Sequence, residues 1–267
     1  MEGPWELIVV DNNSNDGTRA VAAAFAACLP LRYVFEAEQG LSAARNRALR
    51  EFSGDFLLFT DDDVLVERNW LQAYRLACNK FPLAGYFGGR VIPFWPNGKP
   101  RGFKDESLAL VSGLLVRFDL GETTREFALN DPTPFGASFG LRRSVVDMIG
   151  DFRRDLGVTG GVPGRGEESE YLRRVLAAGI SGVYVGEGSV HHWTDSRRLK
   201  FGYLYRYGVQ TGIAEKLTGS AAVGSSVQAV VFAARGCLQL LRGRRDRFCQ
   251  CVINSGIQIG LQFRSKA

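Results

Sequence analysis

GDFLLFTDDDVL, residues 54–65, decides the fold: an apolar run of strand length, Phe56 to Phe59, ends in three consecutive aspartates, Asp61, Asp62 and Asp63. Such a run bounded by turn residues predicts a buried strand, and like charges at its exit mark the end of a sheet rather than a soluble loop. The same arrangement occurs upstream. Trp5 to Val10 is apolar and closes on Asp11, and Asn12 to Gly17 is a dense turn signal. A helix pattern then runs over Thr18 to Cys28, with Val21, Phe25 and Cys28 on one face. Leu31 to Glu36 predicts a second strand, and Gly40-Leu41-Ser42 opens an Ala/Arg-rich helix to about Phe52, with Ser42 as its N-cap. A further helix is predicted over Asn69 to Phe81. Strands alternating with helices imply an α/β fold whose mixed, mostly parallel sheet is flanked by helices.

After Gly88 the stretch GGRVIPFWPNGKPRG excludes a continuous helix and predicts an irregular or edge-strand insertion that walls a pocket. Phe135 to Arg143 is an extended segment turning into a helix over Ser144 to Ile149. Five glycines between Gly157 and Gly166 predict a loop, and Glu167 to Ala178 a helix with Tyr171, Leu172, Val175 and Leu176 on one face. Gly182 to Val185 predicts a strand, followed by His191 and His192, the two histidines of the chain.

A chain of 267 residues can fill a large core without staples, and five cysteines lacking a Cys-x-x-Cys pair suit reduced thiols in a cytoplasmic protein. The net charge of +5 conceals a division. From Arg197 onward twelve Lys and Arg face two acidic residues, so the tail is strongly basic and the body acidic. The expected domains are therefore 1–198, carrying the sheet, and 199–267, a basic, amphipathic helical extension. No leader is expected, since no cationic segment followed by an apolar core opens the sequence. The run Ala221 to Ala234 is too short and too polar to span a bilayer, which takes about 20 apolar residues. Val227, Val230, Val231, Ala234, Leu238 and Leu241 nevertheless recur at helical spacing beside arginines. That pattern fits a helix lying on an anionic membrane face as well as one packed on the body.

In an open α/β sheet the ligand site lies at the carboxyl ends of the strands, where Asp11 and Asp61 to Asp63 both fall. Aspartates in Asp-x-Asp spacing offer hard oxygens to Mg²⁺ or Mn²⁺, which bridges a diphosphate; the plainer alternative is that Asp62 and Asp63 cap the next helix. Glu168 precedes Tyr171 and Leu172 by three and four positions and so shares the face the helix turns to the body, pointing into a cleft; the plainer alternative is an anion at a helix start, which the macrodipole favours.

Six stretches together resemble the family 2 glycosyltransferases of the GT-A (Rossmann-like) fold: LIVVDNNSNDGT (7–18), EQGLSAARNRAL (38–49), FLLFTDDDV (56–64), FGASFGLRRSVVDMIGDF (135–152), GRGEESEYLRRVLAAG (164–179) and GEGSVHHW (186–193). They occur in the family's order over about three quarters of the chain. The resemblance implies a metal-dependent, inverting transfer of a sugar from a nucleotide-diphosphate donor to a hydroxyl acceptor, a glycan or a lipid-linked or cell-envelope polysaccharide precursor, with no nucleic-acid partner. It also implies that Asp11 binds the nucleobase or ribose, that Arg45 helps hold the nucleotide, and that Asp61 and Asp62 belong to the donor site. Asp63 and Asp61 become metal ligands, with His191 as a late third ligand and His192 as its close rival. Glu167-Glu168 falls on the family's acidic pair, Glu167 on the donor side and Glu168 as general base where members usually carry Asp.

One departure concerns the start. Members begin with another strand about 30 residues ahead of the Asp11 motif, so the chain is expected to lack a central strand of the sheet. That absence leaves open a degenerate, non-catalytic binding module. Asp61-x-Asp63-Val64 also resembles the nucleophile motif of haloacid-dehalogenase-type phosphatases, although the later lysine and acidic pair of that family have no convincing match. The expected location is cytoplasmic, peripheral on the membrane through the basic tail.

Overall fold

The computed structural model describes residues 4–99, 112–158, 165–219 and 226–262. The end of the predicted insertion, from Pro100, and the middle of the glycine-rich loop, 159–164, lie outside the described residues. Two sheets form. In the first, β1 (Leu7–Asp11) and β2 (Leu31–Phe35) pair in parallel through the helix α1 (Thr18–Ala26), and α2 (Leu41–Glu51) follows. The second has the order β3 (Phe56–Phe59), β7 (Phe139–Arg142), β5 (Tyr86–Phe94), β8 (Gly182–Trp193), β4 (Val64–Val66), with the short β6 (Arg125–Glu126) also on β8. No strand among the described residues joins β1 to β3, and both are edges.

The sheet is mixed, yet antiparallel pairings outnumber parallel ones: β3–β7, β7–β5, β4–β8 and β6–β8 run antiparallel, while β1–β2 and β5–β8 run parallel. The mixed α/β sheet is as expected, with β7 the strand that runs antiparallel to both of its neighbours, β3 and β5. Adjacent residues on a strand face opposite sides, so β5 feeds two cores. Phe87 packs with Trp70 and Tyr74 of α3 (Trp70–Lys80), and Tyr86 packs with Leu49, Leu141, Phe152 and Tyr171 on the other side. That second core is covered by α2 and by α6 (Glu167–Ala177), the helix carrying Glu168. The predicted N-cap Ser42 instead lies inside α2, which starts at Leu41, and its hydroxyl donates to Leu156 O at 2.9 Å.

β8 runs well past the predicted Val185 and carries both histidines. Its pairing with β5 shifts between Val185 and Val190, where Gly188 (φ 72°) turns in the left-handed region against Trp70. After β8 come α7 (Phe201–Leu217), α8 (Ser226–Leu241) and α9 (Arg245–Gly260). α7 and α9 share a third core of Leu204, Cys249, Val252 and Ile253 with Leu114 and Leu115 of α4 (Ser112–Leu115), and α8 packs on α9 outside it. α7 and α9 touch backbone to backbone at Gly208, Gly212, Gly256 and Gly260; a Cβ on Gly208 would lie 2.2 Å from Ile253 O, and one on Gly212 2.2 Å from Ile257 O. No helix of the described residues is long and apolar enough to cross a membrane.

Candidate active site

The end of β3 and the outer half of β8 meet through β4. Val64 pairs with His192 and Leu65 with His191, and the ladder continues as Trp193 N–H donates to Asp63 O at 2.8 Å. Because side chains alternate, His192 turns into the sheet's packed side and His191 outward. His192 is 4% exposed, with Nε2 3.4 Å from Asp63 Oδ1. His191 lies 3.3 Å from Glu67 Oε1, away from the aspartates. Asp61, Asp63 and His192 can present ligand atoms within 4.8 Å of one another. Thus the structure groups His192, not His191, with the acidic pair, while Asp62 is exposed beside them on a cleft of about 380 Å³ lined by Asp63, Val64, Leu65 and Trp193.

Electrostatics suit a cation there. Burial pushes the His192 imidazole down from its ordinary range, against the pull of the Asp63 carboxylate, so the neutral ring keeps a lone pair. Its Nδ1 is buried with no hydrogen-bond partner among the described residues. Burial also pushes the Asp61 carboxyl up, opposed by Arg45. Two carboxylates and an imidazole with an unsatisfied nitrogen form a donor set that fits a divalent ion.

On the opposite wall, α6 begins at Gly166 (φ 95°), and Glu167, Glu168 and Glu170 occupy its first turn, where the exposed N–H groups favour anions. Tyr171 and Leu172 are buried, which aims Glu168 inward. Its Oε1 accepts from Gly136 N at 2.9 Å and from Arg45 Nη2, while Arg45 Nη1 donates to Glu167 Oε1 at 2.9 Å. Arg45 is itself buried over the Phe152 ring, 5.6 Å from guanidinium carbon to ring centre. Burial would lower its pKa, but Glu168, Glu167 and Asp61 together raise it, so it stays charged. Burial likewise raises the Glu168 pKa above the ordinary range, with Arg45 opposing. Arg45 thus bridges Glu167 and Glu168, and the Asp61 charge adds to its stabilisation.

Asp11 is buried at the end of β1 and stands on the other sheet. Its carboxylate accepts from Tyr33 Oη at 2.6 Å and from Ser14 N at 2.9 Å, and the Tyr33 bond holds its pKa below the usual range. Asn12 stitches this loop to the next, its Oδ1 accepting from Gly40 N at 2.6 Å.

Three contributors escaped the sequence reading. Tyr33 pairs with Val9, two residues before Asp11, so the parallel register of β1 and β2 would have named it. Gly136 carried a signal only as a small residue in FGASFG; a Cβ there would lie 2.1 Å from Arg45 Nη2 and 2.2 Å from Glu168 Oε1. Arg198, placed by charge at a domain boundary, reaches to 3.9 Å from Asp63 Oδ2.

Comparison with known proteins agrees with this geometry. The model of the family described as "Glycosyl transferase family 2" matches residues 2–150. The succinoglycan biosynthesis protein ExoM of Rhizobium meliloti is 26% identical over 272 residues, 96% of this chain and 82% of its own. The glycosyltransferase AglE of Haloferax volcanii is 40% identical over 181 residues, 66% of this chain and 53% of its own. Among solved structures, the mannosyltransferase PcManGT from Pyrobaculum calidifontis, in complex with GDP-Man and Mn²⁺, superposes with a TM-score of 0.59 at 19% identity, covering 96% of this chain and 77% of that one. The fold is therefore the GT-A fold. The chain spans about half the length of AglE, and only 38% of another curated relative.

Proposed function

Since the chain belongs to glycosyl transferase family 2, we propose that it moves a sugar from a nucleotide-diphosphate donor to a hydroxyl acceptor with inversion, in polysaccharide or lipid-linked glycan assembly. The observation that carries this reading is convergence: Asp61, Asp63 and His192 gather at one wall of a site whose other wall presents the half-buried Glu168. Asp61, Asp63 and His192 would hold Mg²⁺ or Mn²⁺. When bound, the ion supplies positive charge to the diphosphate leaving group. His191 drops out of the ligand set.

Glu168 is proposed as general base. Both of its hydrogen bonds converge on Oε1, which leaves Oε2 to take the acceptor's proton. Gly136 N–H and Arg45 fix the carboxylate's orientation, and its raised pKa strengthens it as a base. Glu167 acts through Arg45 rather than on the donor directly. Asp11, held by Tyr33 and Ser14, is proposed to bind the nucleobase or ribose, and Asp62 to border the donor cleft. Residues 1–198 would form the transferase domain and 199–267 its extension.

Titration calorimetry with UDP and GDP tests the proposal. Nucleotide binding that requires Mn²⁺ and disappears in Asp63→Asn is expected. Trapping of an acyl-phosphate on an aspartate would support the phosphatase alternative, and the absence of both nucleotide binding and trapping would leave the non-catalytic module.

A further inference from the structure

The helix α8 shows two unlike faces. Ala229, Phe232, Gly236 and Gln239 turn toward α9, where Ser255 Oγ donates to Ala229 O at 2.9 Å and a Cβ on Gly236 would meet Cys251 at 3.2 Å. Opposite them, Val230, Val231, Ala234, Cys237, Leu238 and Leu241 form one unbroken exposed stripe over three turns. The exposure is substantial: 68% at Val230, 45% at Leu238 and 86% at Leu241. Burying such a stripe in water-excluding surroundings would be favourable, and aliphatic side chains exposed contiguously mark an interaction surface.

The chemistry of the rim selects the occupant. Arg235 and Arg242 border the stripe on one side, and Arg244 and Arg245 stand at its end, all exposed. A second copy meeting this face about a two-fold axis would set these arginines against each other, and the chain from Arg197 onward has only two acidic residues to answer twelve basic ones. The stripe also lacks the Trp and Tyr anchors typical of protein interfaces. A lipid surface needs neither shape complementarity nor pockets: acyl chains accept any apolar side chain and anionic headgroups accept the arginines. We infer that the α8 face is a docking surface for an anionic bilayer, with the helix lying along the interface. The close α7–α9 packing and the third core make a firm base from which the stripe is presented. This inference stands apart from the transferase reading, since it concerns neither donor nor metal.

Flotation of the full chain with vesicles tests it without any substrate. Vesicles of phosphatidylcholine mixed with phosphatidylglycerol should carry the protein upward, and vesicles of phosphatidylcholine alone should carry much less. Replacing Leu238 and Leu241 by Asp, or Arg235 and Arg242 by Glu, should each lower partition about tenfold or more, the latter also weakening the salt dependence. Unchanged thermal melts in both variants would show that the fold is intact, because the replaced side chains are exposed. Failure of the wild type to float, or flotation indifferent to both variants, overturns the inference. So does a concentration-dependent dimer that Leu238→Asp dissolves while no lipid is bound, since a second copy would then cover the face.

Discussion

The β1–β2 layer and the six-stranded sheet are built from equally apolar strands and are packed very differently. Phe87, Leu141, Val183, Val185 and Val190 of the large sheet are fully buried, with helices over both faces. In β1, by contrast, every residue but Asp11 is half-exposed. The predicted apolar face of α1, Val21 and Phe25, is 57% and 52% exposed above a hollow of about 490 Å³ lined also by Leu7, Val9 and Leu31. The helical period is right, yet among the described residues nothing covers this face. Groups proposed to do chemistry, Glu168 and the Asp61–Asp63–His192 set, stand on the densely packed layer, and Asp11, proposed to hold the nucleotide, stands on the thin one. On that proposal the division sets the reaction centre on the better buried layer and the donor platform on the more exposed one.

The largest expected effect lies in the better buried layer: Glu168→Gln should lower turnover by about 10²- to 10⁴-fold while leaving nucleotide binding intact. Activity should fall as pH drops through a pKa above the ordinary glutamate range, because burial raises it. Arg45→Gln should move that acid limb to higher pH, since the arginine opposes the rise. Turnover of Glu168→Gln within a few fold of wild type would remove the base assignment.

Next in size, Arg45→Leu leaves two carboxylates crowded without their cation and should cost about 3–5 kcal/mol in denaturant unfolding. A direct comparison of the layers follows. Leu141→Ala should cost about 2–5 kcal/mol, whereas Phe25→Ser, on the exposed face of α1, should stay within about 0.5 kcal/mol. Equal costs would break the contrast. Amide exchange should agree, with β1 and β2 losing protection before β5 and β8.

A small effect is also expected beside Asp11. Tyr33→Phe removes one hydrogen bond to Asp11 and should cost about 1 kcal/mol near neutral pH. The Asp11 pKa is depressed in the fold, so its contribution is present above the unfolded value and fades as pH falls through the folded one. Glu168 has the opposite sign: with its folded pKa raised, its contribution is complete below the unfolded value and is lost as pH rises through the folded one. On acidification the stability gap between wild type and Tyr33→Phe should therefore narrow, while wild type should gain on Glu168→Gln.

What could be read in sequence was local. Asp11 and Asp61 to Asp63 announce strand ends because apolar runs stop there, and Glu168 announces itself through helical spacing to Tyr171 and Leu172. What could not be read depends on partners far along the chain. Choosing His192 over His191 requires the register of β4 on β8; the role of Arg45 requires knowing that a residue 122 positions away meets it. The direction of β7 was hidden for the same reason, since the insertion before it carries no periodicity. Among the described residues β1 and β3 both lie at sheet edges, and which strands pair there is likewise a long-range matter.

The register shift in β8 bears on how the gene can change length. Between Val185 and Val190 the strand has more residues than β5 has opposite them, and it leaves the ladder there and rejoins it. Glu187 is the exposed point of this excursion while Gly186, Gly188 and Ser189 are packed, so a codon gained beside Glu187 disturbs least and leaves the outer pairing of Val190 to Trp193 in place. One codon inserted between Val190 and His192 has no slack to absorb it: it would exchange the inward and outward faces and present a different side chain to Asp63. Insertions and deletions a few codons apart in this strand thus have unlike consequences, one a change of loop length and the other a change of the side chain that faces Asp63.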